Sequence, residues 1–321
     1  MAHNILDNKM FCVGKAWHEI GQRVDKEVLS AEAIRLSGLD YTLVKKPLFC
    51  KADDNESSFE VIADNKMAVY NPYNQKIIGI VSDNKYKIIQ NIEAFDFFDN
   101  VVKSGEAFYH SAGALGNGEK IWLLAKLPSN MLYFGGHDIV EKYLLLTNTH
   151  DGKESLYMYF TPIRVVCQNT LNISLRDKGE GIAIRHSGDI KSKVESARQA
   201  LGLALDFYTD LEANFKAFAD RKLNKDEVEK YFDIVLEIKE NADDNSTHKI
   251  NARETIKSLS ENGKGTDISG VKGSLWGAYN AITEYADHYK TVRGNRTDSI
   301  LFGSSADLKK RAFNEALVLV K

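Results

Sequence analysis

Arg164, Arg176, Arg185, His186, Lys191 and Lys193 fall in one stretch of the chain, just after Tyr157, Tyr159 and Phe160. Phosphate contacts need only cationic reach and backbone donors, so several of these side chains converging on one surface would hold a polyanion. Tyr157 and Tyr159, two residues apart in a strand, share one sheet face. Rings beside cations suit single-stranded nucleic acid, because stacking tolerates any base and is worth roughly 1–3 kcal/mol per base. A second group lies near the C-terminal end. Between Ser274 and Tyr289, the residues Leu275, Ala278, Tyr279, Ile282, Tyr285, Ala286 and Tyr289 recur at helical spacing, leaving Trp276, Asn280, Glu284, Asp287 and His288 to other faces. The tyrosine stripe reads as a packing seam, whereas Trp276, His288, Arg293 and Arg296 are candidates for function.

Metal-ligand side chains also adjoin one another: His18 with Glu19, His150 with Asp151, His186 with Asp189, and Glu284 with Asp287 and His288. None completes a recognised zinc or calcium pattern, and a Glu284/His288 pair at i, i+4 is an ordinary helix-surface contact. No cofactor is expected. Cys167 sits among apolar residues and reads as a buried, inert thiol rather than a nucleophile. The run Gly113–Gly118 lacks the Lys-Ser/Thr of a phosphate loop and reads as a hairpin turn.

These residues need elements to carry them. Ser30 to Gly38 has the start and stop of a short helix. Alternating patterns over Tyr41–Phe49, Phe59–Tyr70, Lys76–Val81 and Lys85–Ile89, separated by turn residues, predict a small antiparallel sheet. Asn91 reads as the cap of a helix that carries Phe95, Phe98, Val101 and Val102 on one side. Further strands are predicted at 107–112, 120–126, 143–149, 155–160 and 181–186. Thr161-Pro162 reads as the opening of a helix through Val165, Val166, Cys167 and Leu171. Helical spacing then holds from about Asp189 to Lys239, broken at Asn224. The fold class expected is α+β, an antiparallel sheet-rich N-terminal part packed with a helical C-terminal part. Its expected division is 1–188 as core, 189–262 as a helical region and 263–321 as helices packing back on the core.

With 321 residues, 43% hydrophobic and 27% charged, the chain can bury a full core. A formal net charge of -3 excludes coating of nucleic acid by bulk positive charge but allows a local basic groove. From Thr161 to Ala200 seven basic residues face four acidic ones, whereas from Leu205 to Asn262 fourteen acidic residues face nine basic ones. Three widely spaced cysteines and the lack of a secretory signal or long apolar run predict a cytoplasmic protein with no membrane span.

Trp17-His-Glu-Ile-Gly21, Thr161-Pro-Ile-Arg-Val-Val-Cys-Gln-Asn-Thr-Leu171, Ile184-Arg-His186, Trp276 through His288 and Phe302-Gly303 together resemble the phage/plasmid-like proteins catalogued as domain of unknown function 932. The resemblance implies a mobile-element protein of a bacterial cytoplasm. The function expected is non-enzymatic binding or annealing of single-stranded DNA in recombination or maintenance, by a homo-oligomer. In it Arg164, Arg176, Arg185, His186, Lys191, Lys193, Arg293 and Arg296 bind phosphates, while Tyr157, Tyr159 or Trp276 offer stacking faces. The alternatives are a metal-dependent nucleic-acid hydrolase using some of His18, His150, Asp151, His186, Glu284, Asp287 and His288, or a protein that binds and inhibits a host defence enzyme. A phage or host replication protein is a further possible partner.

Overall fold

The computed structural model describes residues 5–14, 21–26, 28–53, 58–102, 107–153, 156–166, 169–170, 182–184, 190–239 and 246–321. Its elements in chain order begin with β1 (Ile5–Val13), β2 (Gln22–Val24), α1 (Ser30–Leu36), β3 (Val44–Asp53), β4 (Ser58–Asn71), β5 (Lys76–Ser82) and α2 (Asn91–Val102). There follow β6 (Phe108–Leu115), β7 (Lys120–Tyr133), β8 (Asp138–Thr149), β9 (Leu156–Phe160), β10 (Ile163–Arg164), β11 (Asn169–Thr170) and β12 (Ile182–Ile184). The rest is helical: α3 (Ile190–Asp220), α4 (Lys225–Leu236), α5 (Thr247–Asn262), α6 (Leu275–Glu284), a π turn over Tyr285–Tyr289, α7 (Arg296–Phe302) and α8 (Ser304–Leu319). The fold is α+β, as the patterning predicts.

Nine strands form one sheet, in the order β11-β10-β8-β7-β6-β1-β2, with β9 also on β8 and β12 on β9. Every pairing is antiparallel except β1 with β2. Period two decides which side chains go where. On β9, Leu156, Met158 and Phe160 are buried, and Tyr157 and Tyr159 point to the opposite face. The first three join a continuous apolar core that includes Phe95, Phe98, Tyr208, Phe215, Phe218, Trp276, Tyr279 and Phe313, so the helical layer covers that face. A smaller cluster of Ile5, Met10, Cys12, Leu115, Trp122 and Leu145 lies on the other face, with Leu124, Tyr159, Leu301 and Phe302 at its margin. The strands β3, β4 and β5 form a separate antiparallel sheet.

Three local expectations are corrected. The segment after Thr161 is strand and turn over its described residues: Ile163 and Arg164 pair with Glu141 and Val140 of β8, and this pairing overrides proline's preference for a first helical turn. Residues 85–89 are irregular, with Tyr86 and Ile88 packed against the small sheet's core and the Tyr86 hydroxyl donating to the Thr149 carbonyl. Asn91 is the first residue of α2 rather than its cap, and its Nδ2 donates to the Leu39 carbonyl at 3.1 Å, whereas α1 starts at Ser30 as expected, the hydroxyl donating to Asp99 at 2.7 Å. Gly38, at φ +66°, does stand just past the end of that helix. The break at Asn224 is a full capping box: its side chain accepts from the Glu227 amide, and the Glu227 carboxylate accepts from the Asn224 amide.

Candidate nucleic-acid interface

Arg164 and Trp276 meet, but inside the protein. Arg164 is 1% exposed and Trp276 fully buried. Arg164 Nε donates to Asp138 Oδ1 at 2.8 Å and Nη2 to Asp138 Oδ2 at 2.6 Å, while Trp276 Nε1 donates to the same Oδ2 at 2.8 Å. Nη1 reaches the Lys264 carbonyl at 3.2 Å, and the guanidinium lies 5.8 Å from the indole centroid. A bidentate guanidinium with an indole donor compensates the desolvation of a carboxylate that would otherwise be prohibitive. The expectation that Arg164 contacts phosphate and Trp276 offers a stacking face is therefore corrected: both close a buried lock between β8, β10 and α6. Helix α6 is buried on every face, so Asn280 and Glu284 are interior too, whereas in the π turn beyond it His288 is half-buried and Tyr289 exposed.

A second interior ion pair joins Lys309 Nζ to Asp287 Oδ1 at 2.6 Å, both groups buried. Burial pushes the Lys309 ammonium below its ordinary pKa, against the pull of Asp287. Arg296 donates to the carbonyls of Asp287 at 3.0 Å and Lys290 at 3.3 Å, serving backbone acceptors of the π turn. Arg293 is exposed on the neighbouring turn, next to Gly294 at φ +88°.

Tyr157 and Tyr159 stand on the sheet face opposite the main apolar core, the face that the end of α7 reaches. In register, Tyr159 lies opposite Leu145, itself opposite Leu124, and Tyr157 lies opposite Thr147, itself opposite Trp122. The two tyrosine rings stack with centroids 6.1 Å apart at 28°, and Phe302 at the end of α7 continues the row 5.9 Å from Tyr159. All three are partly exposed. Lys120 Nζ lies 4.4 Å from the Phe302 centroid and 3.6 Å from Asp298. Helix α7 spans seven residues, about 10 Å, and ends at Phe302, and Arg293 lies on the turn three residues before it begins. Lys120 and Phe302 are additions to the sequence-derived set. Phe302 was legible only as part of a motif, and Lys120 carried no signal beyond opening a strand.

The remaining candidates divide. Arg176, Arg185 and His186 lie outside the described residues, as does His18; Lys191 and Lys193 fall on the first turn of α3, and their side chains are likewise outside the description. The possible metal ligands are dispersed. His150 is buried with Nε2 3.0 Å from Asn91 Oδ1, and burial pulls its pKa down to about 4. Asp151 pairs with Lys153, and Glu284 accepts from the Lys264 amide at 3.0 Å. Among the described residues no three His, Cys, Asp or Glu side chains gather to hold a metal ion. No helix there is long and apolar enough to cross a membrane.

An α+β scaffold with a buried ion lock and an outward row of rings defines the class of protein by its architecture. The chain belongs to the family described as Domain of unknown function (DUF932), whose model matches residues 78–305. That span holds both the lock and the ring row and leaves β3 and β4 outside. Neither a curated protein nor a solved structure matches the chain.

Proposed function

We propose that the protein is a non-enzymatic nucleic-acid-binding protein that holds single strands of phage or plasmid DNA on the outer face of its large sheet, in recombination or maintenance of a mobile element within the bacterial cytoplasm. The observation that supports this reading is the row Tyr157–Tyr159–Phe302 with Lys120 against its last ring, and the exposed Arg293 stands on the turn that leads into α7. Ring faces about 6 Å apart, partly open to solvent, provide surfaces for unpaired bases, and flanking cations attract phosphates. A duplex, with its bases already stacked, gains less from such rings.

A salt titration of binding to an unlabelled single strand tests the reading. The logarithm of the association constant is expected to fall linearly with the logarithm of salt concentration, at a slope of roughly -0.7 per phosphate contacted. No binding at low salt, or an affinity indifferent to salt, rejects it.

A further inference from the structure

The small sheet exposes apolar side chains that a stable monomer would cover. Past the β4 bulge marked by Asn65 at φ +56°, β5 no longer accompanies the hairpin, and β3 and β4 run on as a two-stranded ribbon. There Phe49 pairs with Ile62 and Cys50 with Val61. Successive pairs face opposite sides, and all four residues are exposed, Phe49 at 52% and Ile62 at 65%. An isolated two-stranded hairpin is marginal in water, so this ribbon gains most from a partner surface. Back toward the base of the sheet, Ile77 and Ile80 of β5 are also exposed, at 57% and 55%.

Charge indicates what that partner is. Residues 49–64 carry five acidic residues and one lysine, Lys51, whereas residues 41–48 and 65–80 carry four lysines and no acidic residue. Exposed Lys46 and Lys66 therefore stand at the base, and exposed Glu60 and Asp64 further out along the hairpin. Lys46 and the Lys51–Glu60 pair are five residues apart on β3, about 17 Å. An acidic outer part disfavours nucleic acid or an anionic lipid surface here. A second sheet of the same kind, turned end for end, sets base against tip twice over. We infer that this sheet is a homodimer interface, in which the ribbon of each copy lies antiparallel across the base of the other, Phe49 and Ile62 covering Ile77 and Ile80 about a two-fold axis. The inference stands apart from the nucleic-acid reading, whose residues lie on the other sheet.

Sedimentation equilibrium of the full chain tests it. The expected mass is twice the 36.0 kDa of one chain, with dimerisation weakening as salt rises. The variant Phe49→Asp/Ile62→Asp is expected to sediment as a monomer with unchanged circular dichroism. Glu60→Lys/Asp64→Lys and Lys46→Glu/Lys66→Glu, each alone, should dimerise at least tenfold more weakly. Mixed together, they should form a one-to-one heterodimer, because each base then meets a tip of opposite sign. A wild-type monomer at all concentrations, whatever else the ribbon captures, overturns the inference. So does a charge-variant mixture that forms no heterodimer while both variants remain folded.

Discussion

A cation lies against an aromatic ring in two regions of this molecule, Arg164 at Trp276 and Lys120 at Phe302, and the two do opposite things. At the first, guanidinium, indole and Asp138 are all sealed from water, and three donor nitrogens converge on one carboxylate. At the second, the Lys120 side chain keeps 20% of its exposure, and its ion pair with Asp298 is loose at 3.6 Å. Removing solvent turns a weak, exchangeable attraction into an obligation, since a buried charge must stay neutralised or the fold fails. On the proposed reading, this partly exposed cation and half-open ring trade neighbours for a phosphate and a base. The residue types are alike; water access separates the lock from the proposed binding surface.

The comparison is broken most severely by Arg164→Ala, which strands Asp138 as a buried, uncompensated carboxylate. Urea unfolding is expected to show a loss of about 3–5 kcal/mol, and the double variant Asp138→Leu/Arg164→Met should recover most of it. Were Arg164 a phosphate ligand instead, affinity for a single strand would drop with stability intact. Acid tests the interior next. Folding holds His150 neutral down to about 4, against an ordinary value of 6.5. The unfolded chain therefore takes the proton first. Stability from this group is complete above pH 6.5 and is lost as pH falls toward 4, by at most about 3 kcal/mol. His110, half-buried and held to about 4 by desolvation, adds in the same direction. Unfolding free energies measured at pH 7, 5 and 4 should follow this course, and His150→Asn should flatten it in part. The surface responds least. Tyr159→Ala/Phe302→Ala is expected to weaken single-strand binding by roughly 1–3 kcal/mol for each base unstacked, with little change in unfolding. Lys120→Ala should reduce the salt slope by about 0.7 and leave the melting temperature in place.

The regular parts of this fold were legible because their signals are local. Alternation placed Tyr157 and Tyr159 on one face, Asn224 marked a break between two helices, and the glycines of residues 113–118 announced a hairpin. The lock was not legible. Asp138 follows Phe134-Gly-Gly-His137 and looks like part of a turn, and nothing nearby shows that a strand will carry it under Trp276. For the same reason Arg164 read as one member of a basic run: its partner stands in a different strand, and a charge's burial is a property of the assembled layers. The ring row was half legible, since two rings share β9 while the third arrives from the other end of the chain.

The Trp276–Asp138 hydrogen bond also orders events in time. It spans 138 residues, and Arg164 reaches the Lys264 carbonyl across 100. On a ribosome extending its chain from the N-terminus, Asp138 and Arg164 are synthesised well before α6 exists to cover them. Until then the sheet carries its central ion pair open to water, where such a pair contributes little. The large sheet thus acquires its final rigidity only when the last quarter of the chain arrives, so a message cut short before codon 276 yields a product whose charged centre remains wet.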